Sequence, residues 1–153
     1  MLTITPFLWF DSQAEAAMNL YVSIFPRSKV LSVQRAQGRV MSVEFELEGQ
    51  KFMALNAGPQ FTFTEAISFF VGCDTQDQID DLWTKLTADG GAPGRCGWLK
   101  DRFGLSWQII PRSLGRMLGD PDPAKAKRVM DAMLQMSKLD IAALQQARDG
   151  TAG

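Results

Sequence analysis

The chain contains no histidine. That absence removes the usual general base at neutral pH, the Ser–His and Cys–His nucleophile pairs, and the commonest ligand of transition metals. A metal site made only of carboxylates and amides favours Mg, Ca or Mn over Zn or Ni. Cysteine is scarce too. Cys73 and Cys96 lie in no CxxC and no metal-type spacing, and are expected to be ordinary thiols of a cytoplasmic protein. Neither sign of charge dominates: 16 Lys and Arg face 17 Asp and Glu, mixed along the chain. This argues against nucleic acid as a partner, because a duplex binder needs a clustered basic patch. No apolar run approaches the roughly 20 residues of a spanning helix, so no membrane partner is expected. The opening MLTITPFLWFD has no basic n-region and no small-residue cleavage site, so no signal peptide is expected either.

What is present is a single-domain length of 153 residues, 46% of them hydrophobic, and an internal repeat. ITPFLWFDSQAE (4–15) aligns without a gap to ISFFVGCDTQDQ (67–78). Each copy is a β-rich run ending at Asp–Ser/Thr, and both Ser12-x-x-Glu15 and Thr75-x-x-Gln78 match the capping box. Helices are predicted after both caps, with stripes at Ala16, Ala17, Leu20 and Ile24, and at Ile79, Leu82, Trp83 and Leu86. Pro26 ends the first and Gly90-Gly91 the second. Three strands follow the first helix, Lys29–Ala36, Val40–Glu48 and Gln50–Asn56, with turns at Gln37-Gly38 and Glu48-Gly49. The second copy is tighter, with a strand around Cys96–Lys100, a turn at Arg102–Gly104 and a strand at Leu105–Ile110. The unit is β-α-β-β-β, twice.

After the break at Asp120-Pro121-Asp122-Pro123 a helical tail is expected. Its stripe is Ala126, Val129, Met130, Met133 and Leu134, and a second helix starts at Ser137 or Lys138 carrying Leu139, Ile141, Ala142 and Leu144. The methionines crowded between Met117 and Met136 suit an adaptable packing surface.

Within GWLKDRFGLSWQIIP (97–111), Leu105, Trp107 and Ile109 share one face of the strand, and Ser106, Gln108 and Ile110 the other. A primary amide in an apolar strand must find partners or water, since burying it unpaired costs roughly 1–3 kcal/mol. Gln108 is therefore either a structural hydrogen bonder or a ligand contact.

The stretches TPFLWFDSQAEAAMNLYVSIFP, GPQFTFTEAISFFV, GWLKDRFGLSWQIIP and RVMDAMLQMSKLDIAALQQA resemble the vicinal oxygen chelate superfamily of glyoxalase I, extradiol dioxygenases and bleomycin-resistance proteins. More narrowly they resemble its PhnB-like branch, often labelled 3-demethylubiquinone-9 3-methyltransferase. The resemblance implies an α+β fold: two βαβββ modules forming a cupped, mostly antiparallel sheet with outer helices and a cavity inside, plus the C-terminal helical tail. Module one would span about 1–57, module two about 65–112 and the tail about 122–149 of one domain. A homodimer is also implied. In metal-dependent relatives the ion sits on inward side chains of the first and last strands of each module. Matching DRFGLSWQ to their DPxGxxxE pattern puts Gln108 where many hold a Glu, and Met53 at the equivalent position of module one. The opening strands would supply Thr5 or Pro6, and Ser68 or Phe69. None of these is a His or a carboxylate, so no metal and no cofactor is expected.

The expected function is that of a small-molecule binding protein. Gln108, Ser106, Ser68, Met53 and Trp98 would contact the ligand, and Trp9, Phe70 and Trp107 are either further aromatic walls or, more simply, core. Lys100, Asp101 and Arg102 form a charged cluster that is most simply solvated, though a cation at the cavity mouth would suit an anionic ligand, and Cys96 beside Arg95 has no base to make it a nucleophile. Glu44, Glu46 and Glu48 alternate on what is most simply the wet side of a sheet. Turned inward, they would instead support an Mg- or Mn-dependent enzyme acting on vicinal oxygens. Methyl transfer of the Rossmann type has no support in the antiparallel patterning, and Gly90-Gly91 closes a helix instead of opening one.

Overall fold

The computed structural model describes residues 1–151. Met1–Thr62 and the chain from Phe63 onward are two compact units, and each contains one βαβββ module. The first consists of β1 (Phe7–Phe10), α1 (Ala14–Ile24), β2 (Ser28–Ala36), β3 (Arg39–Leu47) and β4 (Gln50–Asn56). Its sheet has the order β1-β4-β3-β2, with β1 parallel to β4 and the other pairs antiparallel. The hairpins turn at Gln37-Gly38 (φ 55° and 76°) and Glu48-Gly49 (φ 48° and 88°). Two successive left-handed residues match the twist of the flanking strands, which is why glycine takes the second place in each turn. Leu8, Phe10, Val43, Phe45, Leu47, Phe52 and Ala54 are buried on one face of the sheet, the face against which α1 packs.

The first helix departs from its sequence pattern in two ways. Gln13, not Ser12, is the N-cap, and no side-chain cap is made there. Instead Asn56 of β4 accepts from the Ala14 amide at 2.9 Å, so a neighbouring strand satisfies the helix end. The buried stripe is Ala14, Ala17, Met18, Tyr21 and Ile24, while Ala16 is exposed and Leu20 only half-buried. Ala17 and Ile24 of the expected stripe are buried, and Ala14, Met18 and Tyr21 replace Ala16 and Leu20, because alanine marks either face equally well.

The second unit repeats the plan with β5 (Phe69–Cys73), α2 (Gln76–Thr87), β6 (Ala92–Pro93), β7 (Trp98–Lys100) and β8 (Ser106–Pro111). The order is β5-β8-β7-β6, again with the first and last strands parallel. Here the capping box forms as the letters predict: Thr75 accepts from the Gln78 amide, and the Gln78 side chain reaches back to the Thr75 N–H. Ile79, Leu82 and Leu86 are buried. Gly91 follows because a Cβ there would lie 2.6 Å from the Leu86 carbonyl oxygen.

The tail forms α3 (Leu114–Leu118), which the sequence did not announce, then α4 (Pro123–Met133) and α5 (Ile141–Asp149). Leu114, Met117, Val129, Leu139 and Leu144 close on Ile110 at the end of β8. Met130 and Leu134 of the expected stripe are exposed instead, and α5 starts at its Asp140 cap, with Leu139 buried just ahead of it. Gln76 ties this tail to α2, donating to the Leu139 carbonyl at 3.0 Å and accepting from the Ile141 amide at 2.8 Å. Among the described residues no helix is long and apolar enough to cross a membrane.

Candidate functional site

The second sheet has two unlike faces. Leu99, Trp107, Ile109 and Cys73 are buried on the side that α2 covers. On the other side, strand register lines up Phe70, Gln108 and Trp98 across β5, β8 and β7. Phe70 is 64% exposed, and Gln108 and Trp98 are half-buried, so this side is open. Gln108 does find a partner: its Nε2 donates to Ser68 Oγ at 2.9 Å. Ser68 therefore belongs to the open face. Phe69 faces the other way, edge-on to Trp107 with ring centroids 5.3 Å apart.

One ladder step along, Ser106 is the register partner of Lys100. Ser106 is 1% exposed, yet its hydroxyl has no hydrogen-bond partner. Lys100 Nζ is ion-paired with Glu65 of the segment before β5. That bond and the lysine charge hold the Glu65 carboxyl below its ordinary pKa of 4.5. Period-2 spacing puts Lys100 on the face of Trp98, but its pairing with Ser106 comes from the register of β7 and β8. Glu65 left no signal, because nothing in an irregular segment fixes where its side chains land.

One alternative is decided here and one expectation fails. Trp107 lies on the core face, where its indole N–H donates to Asp101 Oδ2 at 3.0 Å, so it lines no open surface. Asp101 is not solvated but 2% exposed, and it also accepts from the amides of Phe103 and Leu105. It organises the β7–β8 turn.

The first unit has a corresponding open face. Register places Phe7, Met53, Glu44 and Ser32 in one row, and Trp9, Leu55, Ser42 and Gln34 in the next. Trp9 is fixed by its indole N–H, which donates to the Gly58 carbonyl at 2.9 Å. The equivalents of Met53 and Gln108 on the opening strands are thus Phe7 and Phe70, with Ser68 within reach of Gln108. Glu44 and Glu46 share the face with Met53, but each is committed to a lysine, Lys51 at 3.4 Å and Lys29 at 3.9 Å. Glu48 pairs with Arg27 at 2.9 Å. Among the described residues no three His, Cys, Asp or Glu side chains gather into a metal-binding group. Taken unit by unit, Met53 with Phe7 and Gln108 with Phe70 offer no His and no carboxylate, so neither set by itself is a donor set for a transition metal. A surface groove of about 460 Å³ between Pro26 and Gly49 is lined by none of the expected site residues.

The thiols are separate and free. Cys73 is buried, and burial pushes its pKa from 9.0 to about 11. Cys96 is half-buried in a left-handed conformation (φ 57°), its amide bonded to the Met136 carbonyl of the tail.

Residues 2–110 match the family model described as 3-demethylubiquinone-9 3-methyltransferase. A PhnB protein from Bacillus cereus with that same description is 36% identical, over 72% of this chain and 99% of its own, at a TM-score of 0.68. PA1353 from Pseudomonas aeruginosa (19% identity, 72% and 98% covered, TM-score 0.60) and a gene product from Arabidopsis thaliana (17%, 72% and 98%, 0.53) share the fold. No curated protein matches. The family match stops at β8, so helices α3–α5 lie beyond it. With both βαβββ modules in place, the chain belongs to the PhnB-like 3-demethylubiquinone-9 3-methyltransferase family.

Proposed function

We propose that this protein binds a small, partly apolar organic molecule on the open face of its second sheet, without a transition metal. The observation that carries this reading is the Phe70–Gln108–Trp98 row with Ser68 bonded to Gln108. Gln108 spends one amide hydrogen on Ser68, which leaves its Oε1 and the Ser68 hydroxyl hydrogen for a ligand, between two aromatic side chains. Apolar walls with a few convergent polar groups are the usual make-up of a small-molecule site. Met53, on the open face of the first sheet, is the second unit's Gln108 made apolar. The protein is proposed to act as a cytoplasmic homodimer.

The family description names a methyl transfer, and the site does not support one. A Rossmann-type methyltransferase holds its cofactor at a glycine-rich turn between a strand and a helix of a parallel sheet. Here the three strand-to-helix turns among the described residues, Asp11-Ser12-Gln13, Asp74-Thr75 and Arg112-Ser113, contain no glycine, and both sheets are mixed.

Thermal unfolding in EDTA against a library of planar organic compounds tests the proposal. A ligand at a hundred times its Kd stabilises by about 2.7 kcal/mol. The expected result is a set of compounds that raise the melting temperature of the wild type and leave Gln108→Leu unmoved. No active compound, or activity undiminished in Gln108→Leu, would contradict it. A rise produced by Mg or Mn and abolished by chelation would favour a metal-dependent enzyme instead.

A further inference from the structure

The strand register places a cation and an unsatisfied hydroxyl side by side, one ladder step from Gln108. Lys100 and Ser106 are cross-strand partners, and a residue spacing of two along β8 separates Ser106 from Gln108 by about 6.8 Å. The Ser106 hydroxyl is 1% exposed and unpartnered. A buried hydroxyl without a partner is costly, and such groups in native proteins call for an explanation. Across the ladder from it, Lys100 is ion-paired with the carboxylate of Glu65. That contact is exposed, with Glu65 62% and Lys100 46% accessible. Exposed ion pairs contribute little to stability, so another carboxylate exchanges for Glu65 at small cost.

We propose that Lys100 and Ser106 form a subsite for a ligand carboxylate, which the protein's own Glu65 fills when no ligand is bound. The arriving carboxylate takes the ammonium on one oxygen and, once Glu65 has swung away and uncovered it, the Ser106 hydroxyl on the other. The separation of this pair from Gln108 is about the span of an aromatic ring with its carboxyl group. Phe70 and Trp98 flank the ring, and Gln108 with Ser68 reads its far edge. The ligand class is therefore a planar aromatic carboxylate. This rests on the reading of the open face given above and adds its charge.

Calorimetric titration with 2-naphthoate and with its neutral analogue 2-naphthamide tests it, alongside NMR of the Gln108 side-chain amide and the Trp98 indole. Both probes shift those two signals if the face binds planar molecules at all. The subsite predicts that naphthoate binds at least tenfold more tightly than naphthamide. Lys100→Met, with Lys100→Gln as a second neutral variant, removes that preference, so that naphthoate binds no more tightly than naphthamide. Glu65→Gln tightens naphthoate by about threefold, because the internal competitor is weakened. Equal binding of both probes, unaffected by these variants, overturns the subsite and leaves the open-face site standing. Naphthoate binding that leaves the Gln108 and Trp98 signals still places the anion elsewhere and overturns the subsite too. If neither probe nor any library compound moves those signals, the open-face reading fails and the subsite with it.

Discussion

Asp101 shows how much one side chain fixes in this fold. Its buried carboxylate accepts from the Leu105 amide (3.1 Å) and the Trp107 indole (3.0 Å), both closed to water, and from the part-buried Phe103 amide (2.9 Å). Asp101→Ala leaves three donors without an acceptor and is expected to cost about 3–5 kcal/mol, measured by urea unfolding. Asp101→Asn turns an N–H toward the indole N–H, for a loss of about 2 kcal/mol. In that background Trp107→Phe removes the clashing donor, so the double variant falls short of the sum of the single losses. Nothing in the letters KDR separates this aspartate from a solvated charge. What decides its burial is the β7–β8 turn that folds it against Trp107. Cys73 supplies a second test at this scale. Its folded pKa of about 11 lies above the ordinary 9.0, so the buried thiol contributes fully below pH 9 and its contribution is lost as pH rises toward 11. Unfolding free energy is expected to fall by about 2 kcal/mol across that window, and Cys73→Ala to flatten the decline.

At the scale of elements, the two helix starts carry nearly the same letters and are built differently. Thr75 and Gln78 close a capping box, whereas Ser12 caps nothing and Asn56 serves α1 from β4. Thr75→Ala is therefore expected to cost about 1 kcal/mol, and Ser12→Ala to stay within about 0.5 kcal/mol of wild type. Asn56→Ala is expected to cost about 2 kcal/mol, because its amide also donates to the Val40 carbonyl at 3.2 Å. Chemical denaturation of the three variants checks the order. The local pattern was legible where partners lie within one turn, as in the α2 box and the Gln37-Gly38 and Glu48-Gly49 hairpins. It misled where the partner comes from 42 residues away, since tertiary contact then overrides the motif. In the tail, Met130 and Leu134 fit a helical stripe, yet the helix is rotated so that Val129 is buried and both of them face out.

Over the whole molecule, the repeat made the architecture readable: a strand, a helix and three strands, twice, with the same order in both sheets. The alternation around Gln108 also identified its face, whereas the choice between Ser68 and Phe69 stayed open in the letters, and it is Ser68 that accepts from Gln108. What the letters did not carry was the partner of Lys100, the burial of Ser106 and the register that sets Phe7 and Phe70 opposite Met53 and Gln108. These depend on an irregular segment and on strand ends, where no periodicity acts. Large apolar side chains remain exposed in each unit, Phe7 and Phe61 in the first and Ile67 and Phe70 in the second. Sedimentation equilibrium is accordingly expected to give twice the chain mass of 17.0 kDa, and the monomer mass would count against a homodimer. The central claim concerns the open face of the second sheet, and the most direct test follows the side-chain N–H signals during titration with the strongest compound from the EDTA screen. The Gln108 amide and the Trp98 indole should move together and saturate, while Trp83 and Trp107, away from that face, stay in place. Movement of Trp83 or Trp107 with Gln108 and Trp98 unchanged, or any response that requires an added divalent metal, would contradict the account.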